Sequence, residues 1–460
     1  MEMTKVPGSY RDPSGFLFYR EGQLYRQVNK SYRDNYEYLM QCGLYKELVN
    51  SGLLVPHEEI EFHPSEPEIA FKIIKPNILP FTSYPYEWCF SQLKDAALTT
   101  INIQKKALNY GMSLKDASAY NIQFLGGKSL LIDTLSFEKA VEGQPWVAYK
   151  QFCQHFLAPL ALMSYTDVRL SQLLKIFLDG IPLDIASSLL PIRSRIRLSL
   201  LTHIHLHAKS QQYFSKKQIS KRNFINFGPA AFQGLLENLQ CSVTRLTWDA
   251  GNTEWTEYYS DNNYSEEAFH HKKQCITELL EMVTPQFILD IGANTGVFSK
   301  ICSDMGITTV SIDLDPAAVE KNYLDCRIRK DPYILPLCLD ITNPSPAIGW
   351  ENQERMSFLE RNPAGTAIAL ALIHHLAISN NLPLQKLARF FHKISKSLII
   401  EFIPKSDSQV QRLLSSRKDI LPDYCQEAFE KEFQKYFLLT KTIKIIDSER
   451  VLYLMERAAQ

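Results

Sequence analysis

The sequence predicts an α/β protein in two parts: a seven-stranded sheet with helices on both faces in the C-terminal half, preceded by an α+β domain. A chain of 460 residues is too long for one ordinary domain. Short apolar runs alternate with helical stretches only in the C-terminal half. The chain ends in two strand-like runs joined by a short polar stretch, which indicates a closing hairpin. We expect a domain at 1–207, an aromatic-rich connector at 208–274 and a second domain at 275–460.

The composition is that of an ordinary globular protein, 45% hydrophobic and 22% charged. The nine cysteines are scattered without a Cys-x-x-Cys pair, so we expect no metal site and reduced thiols in the cytoplasm. The opening MEMTKVPGSYRDPSG has no apolar core, and no apolar run is long enough to span a bilayer. The formal net charge of zero argues against a nucleic-acid partner.

Five short apolar runs in the C-terminal half read as buried parallel strands. Pro336 places the third of them at the edge of the sheet, because proline cannot donate to a strand ladder. The runs are Phe287–Asp290, Thr309–Asp313, Ile334–Asp340, Thr366–Ile373 and Ser397–Glu401. The predicted helices between them are Val297–Met305, Pro316–Arg327 and Leu384–Lys393, and the closing hairpin pairs Lys441–Ile446 with Val451–Met455.

The turn after the first strand carries the most specific pattern. Asp290 ends the strand, and Gly292, Asn294 and Gly296 form the turn into the next helix. Glycines at such a turn let the backbone approach a ligand closely. In an open α/β sheet, ligands bind beyond the carboxyl ends of the strands, so we expect a ligand at this turn.

Three consecutive strands end in an aspartate: Asp290, Asp313 and Asp340. A carboxylate at the second strand can accept hydrogen bonds from two ribose hydroxyls, and one at the third can accept from an exocyclic amine. Each aspartate alone could be a helix cap. The three together favour a nucleoside-like cofactor.

This pattern resembles the class I S-adenosylmethionine-dependent methyltransferases, which have a Rossmann-like sheet, over roughly Cys275 to Arg457. The resemblance implies that Asp290, Gly292, Asn294 and Gly296 hold the methionine end of S-adenosylmethionine. It also implies that Asp313 holds the ribose and Asp340 the adenine. Dinucleotide dehydrogenases are the nearest alternative, but Asn294 stands where their turn has its second glycine.

Several residues are candidates for contact with the methyl acceptor or with a bound cofactor. His374 and His375 follow the fourth strand and Glu401 ends the fifth, so each is a candidate base. The aromatic segment before the first strand offers Tyr259 and Tyr264 as a cover over the cofactor, or else as part of a docking surface between domains. The paired lysines that follow it, Lys272 and Lys273, are expected on a solvated helix face.

The N-terminal half contains a predicted hairpin (Gly15–Val28), a helix (Tyr32–Ser51) and a second helix (Leu93–Tyr110), followed by a second motif. Asp116, Asn121 and Asp133 have the spacing of catalytic residues in protein-kinase-like and aminoglycoside-phosphotransferase-like folds. That resemblance implies an ATP and magnesium site. Arg26 stands where the phosphate-binding lysine would be.

The motif departs from the kinase pattern at several points. No histidine precedes Asp116, Thr-Leu follows Asp133, and a glycine-rich phosphate loop is missing from the sequence. Arginine is also a poor substitute for lysine at a point-charge site. If the fold is kinase-like, Glu37 or Glu47 is the expected partner of Arg26. The alternatives are a degenerate kinase used for binding, or a capped helix start followed by a hairpin.

As a whole, the chain resembles a bacterial group of two-part methyltransferases, some of them described as host-specificity nodulation proteins. Three hypotheses follow: a methyltransferase whose N-terminal domain recognises an unidentified acceptor, a bifunctional kinase-methyltransferase, or a non-catalytic scaffold. The acceptor could be a small molecule or a biopolymer. The stretches that carry the resemblance are Ser83–Trp88, Leu114–Asn121, Ile132–Phe137, Asp290–Phe298 and Ala371–Leu376.

Overall fold

The computed structural model describes residues 3–64, 66–209, 228–251, 264–361, 364–415 and 423–458. The chain divides into two compact units. Unit 1 comprises Met1–Asp249 and Ala347–Arg355, and unit 2 comprises Ala250–Pro346 and Met356–Gln460.

Unit 1 opens with a five-stranded antiparallel sheet in the order β1-β2-β3-β5-β4. Its hairpin β2–β3 is the one predicted from the sequence, with Gly15 opposite Val28. Two small antiparallel pairs, β6–β9 and β7–β8, follow later in the chain. The strands are β1 (Met3–Lys5), β2 (Gly15–Arg20), β3 (Gln23–Asn29), β4 (His57–Ile60), β5 (Ala70–Pro76), β6 (Met112–Leu114), β7 (Ile122–Leu125), β8 (Lys128–Leu131) and β9 (Phe137–Lys139).

The remainder of unit 1 is mainly helical. The α-helices are α1 (Arg33–Gln41), α2 (Leu44–Asn50), α3 (Phe90–Asn109), α4 (Tyr149–Phe152), α5 (Ala158–Tyr165), α6 (Leu173–Ile176), α7 (Leu183–Leu189), α8 (Leu198–Leu200) and α9 (Pro229–Arg245). Short 3-10 helices span Lys30–Tyr32, Pro85–Glu87, Ala119–Asn121, Thr134–Ser136, Val168–Gln172, Ile192–Ile196 and Trp350–Asn352. Two π-helices span Cys153–Leu157 and Leu201–Leu206.

The single helix predicted over Tyr32–Ser51 is wrong, because the structure has two. Gly43 lies between them with φ of 90°, a left-handed conformation in which the α-helix cannot continue. The apolar faces of both helices are still buried, with Leu39 in α1 and Leu48 in α2 fully inaccessible. The prediction was therefore correct in placing helix on both sides of Gly43 but missed the break between them.

Unit 2 contains one seven-stranded sheet in the order β12-β11-β10-β13-β14-β16-β15. The first five strands in this order are parallel, and β16 runs antiparallel to both of its neighbours. The predicted edge position of the strand with Pro336 and the closing hairpin are both confirmed. The strands are β10 (Phe287–Ile291), β11 (Thr308–Asp313), β12 (Ile334–Cys338), β13 (Ala364–Ala369), β14 (Ser395–Phe402), β15 (Phe437–Lys444) and β16 (Val451–Arg457).

The helices of unit 2 connect these strands. They are α10 (Glu266–Val283), α11 (Val297–Asp304), α12 (Pro316–Arg329), α13 (Phe358–Arg361), α14 (Leu384–Ile394), α15 (Ser408–Ser415) and α16 (Gln426–Phe433), with a π-helix at His375–Ser379. Ile276 and Leu280 of α10 pack on Ile288 of β10 in a core with Ile399 and Leu454. None of the helices within the described ranges combines the length and apolar character that a membrane span requires.

The fourth strand of this sheet is shorter than predicted. The apolar run Thr366–Ile373 was expected to be extended throughout, but β13 ends at Ala369. Ala371 has φ of 48°, and its amide donates to the Glu401 carboxylate at 2.7 Å, which turns the chain away from the ladder. His374 therefore lies in a helical turn after the strand and not at its end. An apolar run alone does not distinguish the two conformations.

Candidate functional site

The turn between β10 and α11 has the conformation that its glycines predicted. Gly292 and Gly296 have φ of 77° and 81°, and Asn294 has φ of 52°. The amide of Gly292 donates to the carbonyl of Ile312 in β11 at 2.9 Å. This hydrogen bond fixes the turn beside the carboxyl end of the neighbouring strand, where open α/β sheets bind their ligands.

Asp290 and Asp313 lie at the ends of adjacent parallel strands. The hydroxyl of Ser299 donates to Asp290 Oδ2 at 2.6 Å, and the amide of Asn294 donates to Asp313 Oδ2 at 2.7 Å. Burial and the charge of Asp313 raise the pKa of Asp290 to about 6. Burial, aided by the charge of Asp315, likewise raises the pKa of Asp313 to about 6. The structure therefore brings two carboxylates together at the turn, where a ligand with hydroxyl and cationic groups would stabilise their charged form.

Two further cofactor candidates, Asp340 and Tyr259, differ in what the structure describes. Asp340 follows β12, and its Oδ1 accepts hydrogen bonds from the amide and hydroxyl of Thr342 at 2.8 Å and 2.6 Å. It is partly exposed at the outer end of the row of carboxylates. Tyr259 lies outside the described residues.

Replacing Gly296 with alanine is expected to destabilise unit 2 by about 2 kcal/mol or more, because a left-handed residue with a Cβ is strained. The new Cβ would also lie 2.5 Å from Asn322 Oδ1, and Asn322 is held by its own hydrogen bond to Ser311 at 2.8 Å. The Gly234→Ala change in α9 is the matched control, since its Cβ would meet nothing within 4 Å. Calorimetric unfolding of both variants checks this, and equal transitions would contradict it.

A buried charge cluster lies at the carboxyl end of β14. Lys272 Nζ is 2.7 Å from Glu401 Oε2, and both side chains are at most 2% exposed. Tyr264 donates to the other oxygen of Glu401, and Arg450 Nη1 lies 4.0 Å from it. Arg450 also donates from Nε to Asp407 at 2.8 Å. Two cations and two carboxylates thus compensate one another in the interior of unit 2.

This cluster changes two of the sequence predictions. Lys272 was expected in solvent but is buried, because it lies on the α10 face that also buries Ala268 and Ile276. Glu401 was a candidate base, yet its side chain is inaccessible and its oxygens are engaged by Lys272, Tyr264 and the amide of Ala371. A carboxylate held in this way positions its neighbours and has no exposed oxygen to offer an acceptor. Arg450 was not predicted at all.

The histidine pair occupies the helical turn after β13, with the ring centroids 4.1 Å apart. His374 is 1% exposed, and burial together with the nearby charges lowers its pKa well below the ordinary value. His375 is partly exposed, and burial and the Arg450 charge lower its pKa to about 4. Both imidazoles are therefore neutral at physiological pH, and only His375 has a surface that an acceptor can reach.

The four N-terminal candidates lie close together in unit 1: Arg26, Asp116, Asn121 and Asp133. Arg26 Nη1 donates to Asp133 Oδ1, and the Ser136 hydroxyl donates to Asp133 Oδ2 at 2.7 Å. Asn121 Nδ2 donates to the same hydroxyl at 3.4 Å. Burial and the charge of Asp133 raise the pKa of Asp116. The Asp133 pKa is instead lowered: burial raises it, but the charge of Arg26 together with the hydrogen bonds from Ser136 and from the Leu135 amide outweighs burial.

The predicted partner of Arg26 is wrong. Glu37 pairs with Arg33 and Glu47 with Lys106, whereas Arg26 pairs directly with Asp133. Asp12, which the sequence analysis did not single out, lies 3.8 Å from Arg26 and 3.4 Å from Lys115. Arg26 and Asp133 are 107 residues apart in sequence, so no local signal predicted their pairing. Among the described residues, no group of three or more His, Cys, Asp or Glu side chains could hold a metal ion.

Comparison with known proteins gives one full-length relative. The nodulation protein NoeA of Rhizobium meliloti (strain 1021) is 34% identical over 461 residues, covering 99% of this chain and 96% of that protein. No family model matches the chain.

Two solved structures match part of the chain. The bifunctional kinase-methyltransferase WbdD is 16% identical over 44% of this chain and 41% of its own, with a TM-score of 0.31. The N-methyltransferase NodS from Bradyrhizobium japonicum WM9 is 12% identical over 42% of this chain and 99% of its own, with a TM-score of 0.32. Because the identity extends over the full length, the chain belongs to the family of the nodulation protein NoeA, and its C-terminal unit has the seven-stranded α/β sheet with a closing hairpin that the sequence predicted.

Proposed function

We propose that unit 2 transfers the methyl group of S-adenosylmethionine to an acceptor, and that unit 1 recognises that acceptor. The observation that carries the proposal is the row of three aspartates at or just beyond the carboxyl ends of β10, β11 and β12, beside a turn in which two glycines have left-handed backbone conformations. When bound, S-adenosylmethionine supplies an electrophilic sulfonium methyl group. The residues of the chain bind and orient the reactants.

The described residues fit the cofactor. An ionised aspartate has about four lone-pair positions, and at Asp313 backbone amides of Asn294 and Asp315 take two of them. The remaining positions suit two ribose hydroxyls. Asp290 offers a buried carboxylate of raised pKa, which a cationic ammonium or sulfonium group would favour in its charged form. We assign Gly292, Asn294 and Gly296 to the methionine end and Asp340 to the adenine.

For the acceptor, we propose His375 as the base, if the acceptor group carries a proton. A neutral imidazole accepts a proton, and His375 is the more exposed of the pair. His374 then supports the ring of His375 by packing at 4.1 Å between centroids. Glu401 holds Lys272 and the Ala371 amide in place, so its proposed role is positional and not proton transfer.

Affinity for S-adenosylhomocysteine is expected to fall as the pH drops through about 6, since Asp290 and Asp313 lose their charge there. In the protein without ligand, the same two aspartates make the stability of the fold change with pH in the opposite direction. Their folded pKa is raised, so they add stability at low pH that is lost as the pH rises through about 6. The increase in melting temperature produced by S-adenosylhomocysteine should therefore shrink on acidification. An increase that stays constant down to pH 5 would contradict the assignment.

A second candidate function, nucleotide binding by unit 1, is favoured by the clustering of Arg26, Asp116, Asn121 and Asp133. ATP and magnesium would require Asp133 to exchange the Arg26 guanidinium for the metal ion. The charge of Arg26 makes that exchange unfavourable, so we propose recognition of the acceptor as the main role of the unit. The bifunctional kinase-methyltransferase remains the alternative.

Calorimetric titration of the full chain separates these roles. We expect heat from S-adenosylhomocysteine and none from ATP with magnesium, because Arg26 already neutralises Asp133. The Arg26→Lys variant is the informative comparison: lysine cannot reproduce the guanidinium fork, so the carboxylate becomes more available. Binding of ATP and magnesium by the unaltered chain would favour the bifunctional enzyme, and binding of neither ligand would favour the scaffold.

A further inference from the structure

A short segment of unit 1 exposes large aliphatic side chains to water. Ile192, Ile196 and Leu198 are 79%, 83% and 72% exposed. Isoleucine and leucine are among the residues most often buried, and a single exposed one needs no explanation. Three in one segment of seven residues indicate a surface that is covered by something else in the cell. We call this segment, Ile192–Leu198, the basic apolar ridge.

Arginines alternate with these aliphatic residues: Arg193, Arg195 and Arg197. Within the described part of the chain, none of the three is in an ion pair. The sequence between Asp184 and Glu237 has eight lysines and arginines and no acidic residue, whereas the whole chain has 50 of each charge. The ridge thus lies in a strongly positive stretch of a chain whose net charge is zero.

The ridge is a fixed feature of the fold. Ser194, at its centre, is fully buried, and its hydroxyl donates to the carbonyl of Pro191 at 2.7 Å and lies 2.9 Å from His205 Nε2. Arg193 Nη2 donates to the carbonyl of Tyr165 at 3.0 Å. Because the buried Ser194 fixes the inner side of the 3-10 helix, Ile192 and Ile196 remain exposed to solvent in the folded protein.

A cleft of about 200 Å³ lies at the end of the ridge. Arg197 and Leu198 line it together with Arg245 from α9 and with Tyr165. Two guanidinium groups beside an aliphatic side chain suit a phosphate attached to an apolar body, because arginine forms bidentate hydrogen bonds with phosphate.

We propose that the basic apolar ridge binds the surface of a bilayer that contains anionic phospholipids. Its arginines would meet the phosphates of the headgroups, and its aliphatic side chains would enter the boundary with the acyl chains. Single-stranded nucleic acids are bound on aromatic platforms, which this aliphatic segment does not offer. An acidic protein surface would pair with the arginines, but it would offer no apolar contact to the three exposed aliphatic side chains. Attachment of this kind is peripheral and needs no membrane-spanning helix.

The test is sedimentation of the full chain with vesicles of phosphatidylcholine mixed with phosphatidylglycerol, and with vesicles of phosphatidylcholine alone. We expect binding to the anionic vesicles only. Arg193→Gln/Arg195→Gln/Arg197→Gln should weaken it about 100-fold, at roughly 1 kcal/mol for each charge near the surface. Ile192→Ser/Ile196→Ser should weaken it at least tenfold through lost apolar burial.

Matched controls are Ile328→Ser/Leu438→Ser, two residues that are 80% and 61% exposed in unit 2, and Lys386→Gln/Arg389→Gln on α14. Controls and ridge variants should keep the melting temperature and the affinity for S-adenosylhomocysteine of the unaltered chain. The proposal is overturned if the unaltered chain does not bind anionic vesicles. It is also overturned if both ridge variants bind these vesicles as tightly as the unaltered chain, or if the control variants lose as much binding as the ridge variants. Binding to polyglutamate but not to vesicles would assign the ridge to an acidic protein instead.

Discussion

The Asp313→Ala variant is expected to bind S-adenosylhomocysteine about 1,000-fold more weakly than the unaltered chain. Two hydrogen bonds from ribose hydroxyls to a charged group contribute about 1.5–3 kcal/mol each, and a loss near 4 kcal/mol corresponds to that factor. The variant also removes the acceptor of the Asn294 amide, which lies 2.7 Å from Asp313 Oδ2, so the turn itself loosens. Calorimetric titration measures the change directly.

Two further variants separate the loss of binding from a loss of folding. Asp325→Ala removes a carboxylate that is 57% exposed and, among the described residues, pairs with Arg329 of its own helix, so the variant should bind normally. Asp313→Asn keeps an acceptor for the Asn294 amide while removing the charge, and should bind with intermediate affinity. An Asp313→Ala variant that is folded and binds as tightly as the unaltered chain would show that the ribose lies elsewhere.

The Lys272→Met variant is expected to destabilise unit 2 by about 3–5 kcal/mol, the usual cost of removing one partner from a buried ion pair. Methionine fills much of the volume of lysine, so the loss is electrostatic more than it is a cavity. Glu401 would keep only Arg450, at 4.0 Å, as a cationic neighbour. Scanning calorimetry checks this, with S-adenosylhomocysteine used to identify the transition of unit 2 by its upward shift.

The double variant Lys272→Met/Glu401→Gln tests the same ion pair by removing both charges. Removing the carboxylate as well should recover part of the lost stability, because no unpaired charge remains in the interior. Lys273→Met is the matched control on the neighbouring, more exposed position of α10 and should change little. If Lys272→Met and Lys273→Met unfold alike, the buried ion pair does not contribute as we describe.

The parts of the site that could be predicted from sequence are local. The Gly292–Gly296 turn and the edge position of Pro336 each depend on a residue and its immediate neighbours, and the structure has them as expected. Asp290 and Asp313 lie at the ends of their strands as predicted, whereas β12 ends at Cys338, before Asp340. The alternation of strands and helices and the final hairpin predicted the class of sheet. These features were sufficient to predict the fold of unit 2.

The parts that could not be predicted depend on distant partners. Lys272 and Glu401 are 129 residues apart in sequence, and only the fold brings them together. Lys272 lies on the buried face of α10, but a charged residue is ordinarily assigned to solvent unless its partner is known. Likewise Arg26 meets Asp133 across 107 residues, which the expected pairing with a nearby helix did not anticipate.

The most direct test of the central claim is a crystal structure of the full chain with S-adenosylhomocysteine. We predict the adenosyl group along the carboxyl ends of β10, β11 and β12, with the ribose hydroxyls on Asp313. The sulfur atom should face the side of the sheet that carries His375. Density for the ligand at any other place, or a saturated crystal that shows none at this turn, would contradict the proposed methyltransferase site.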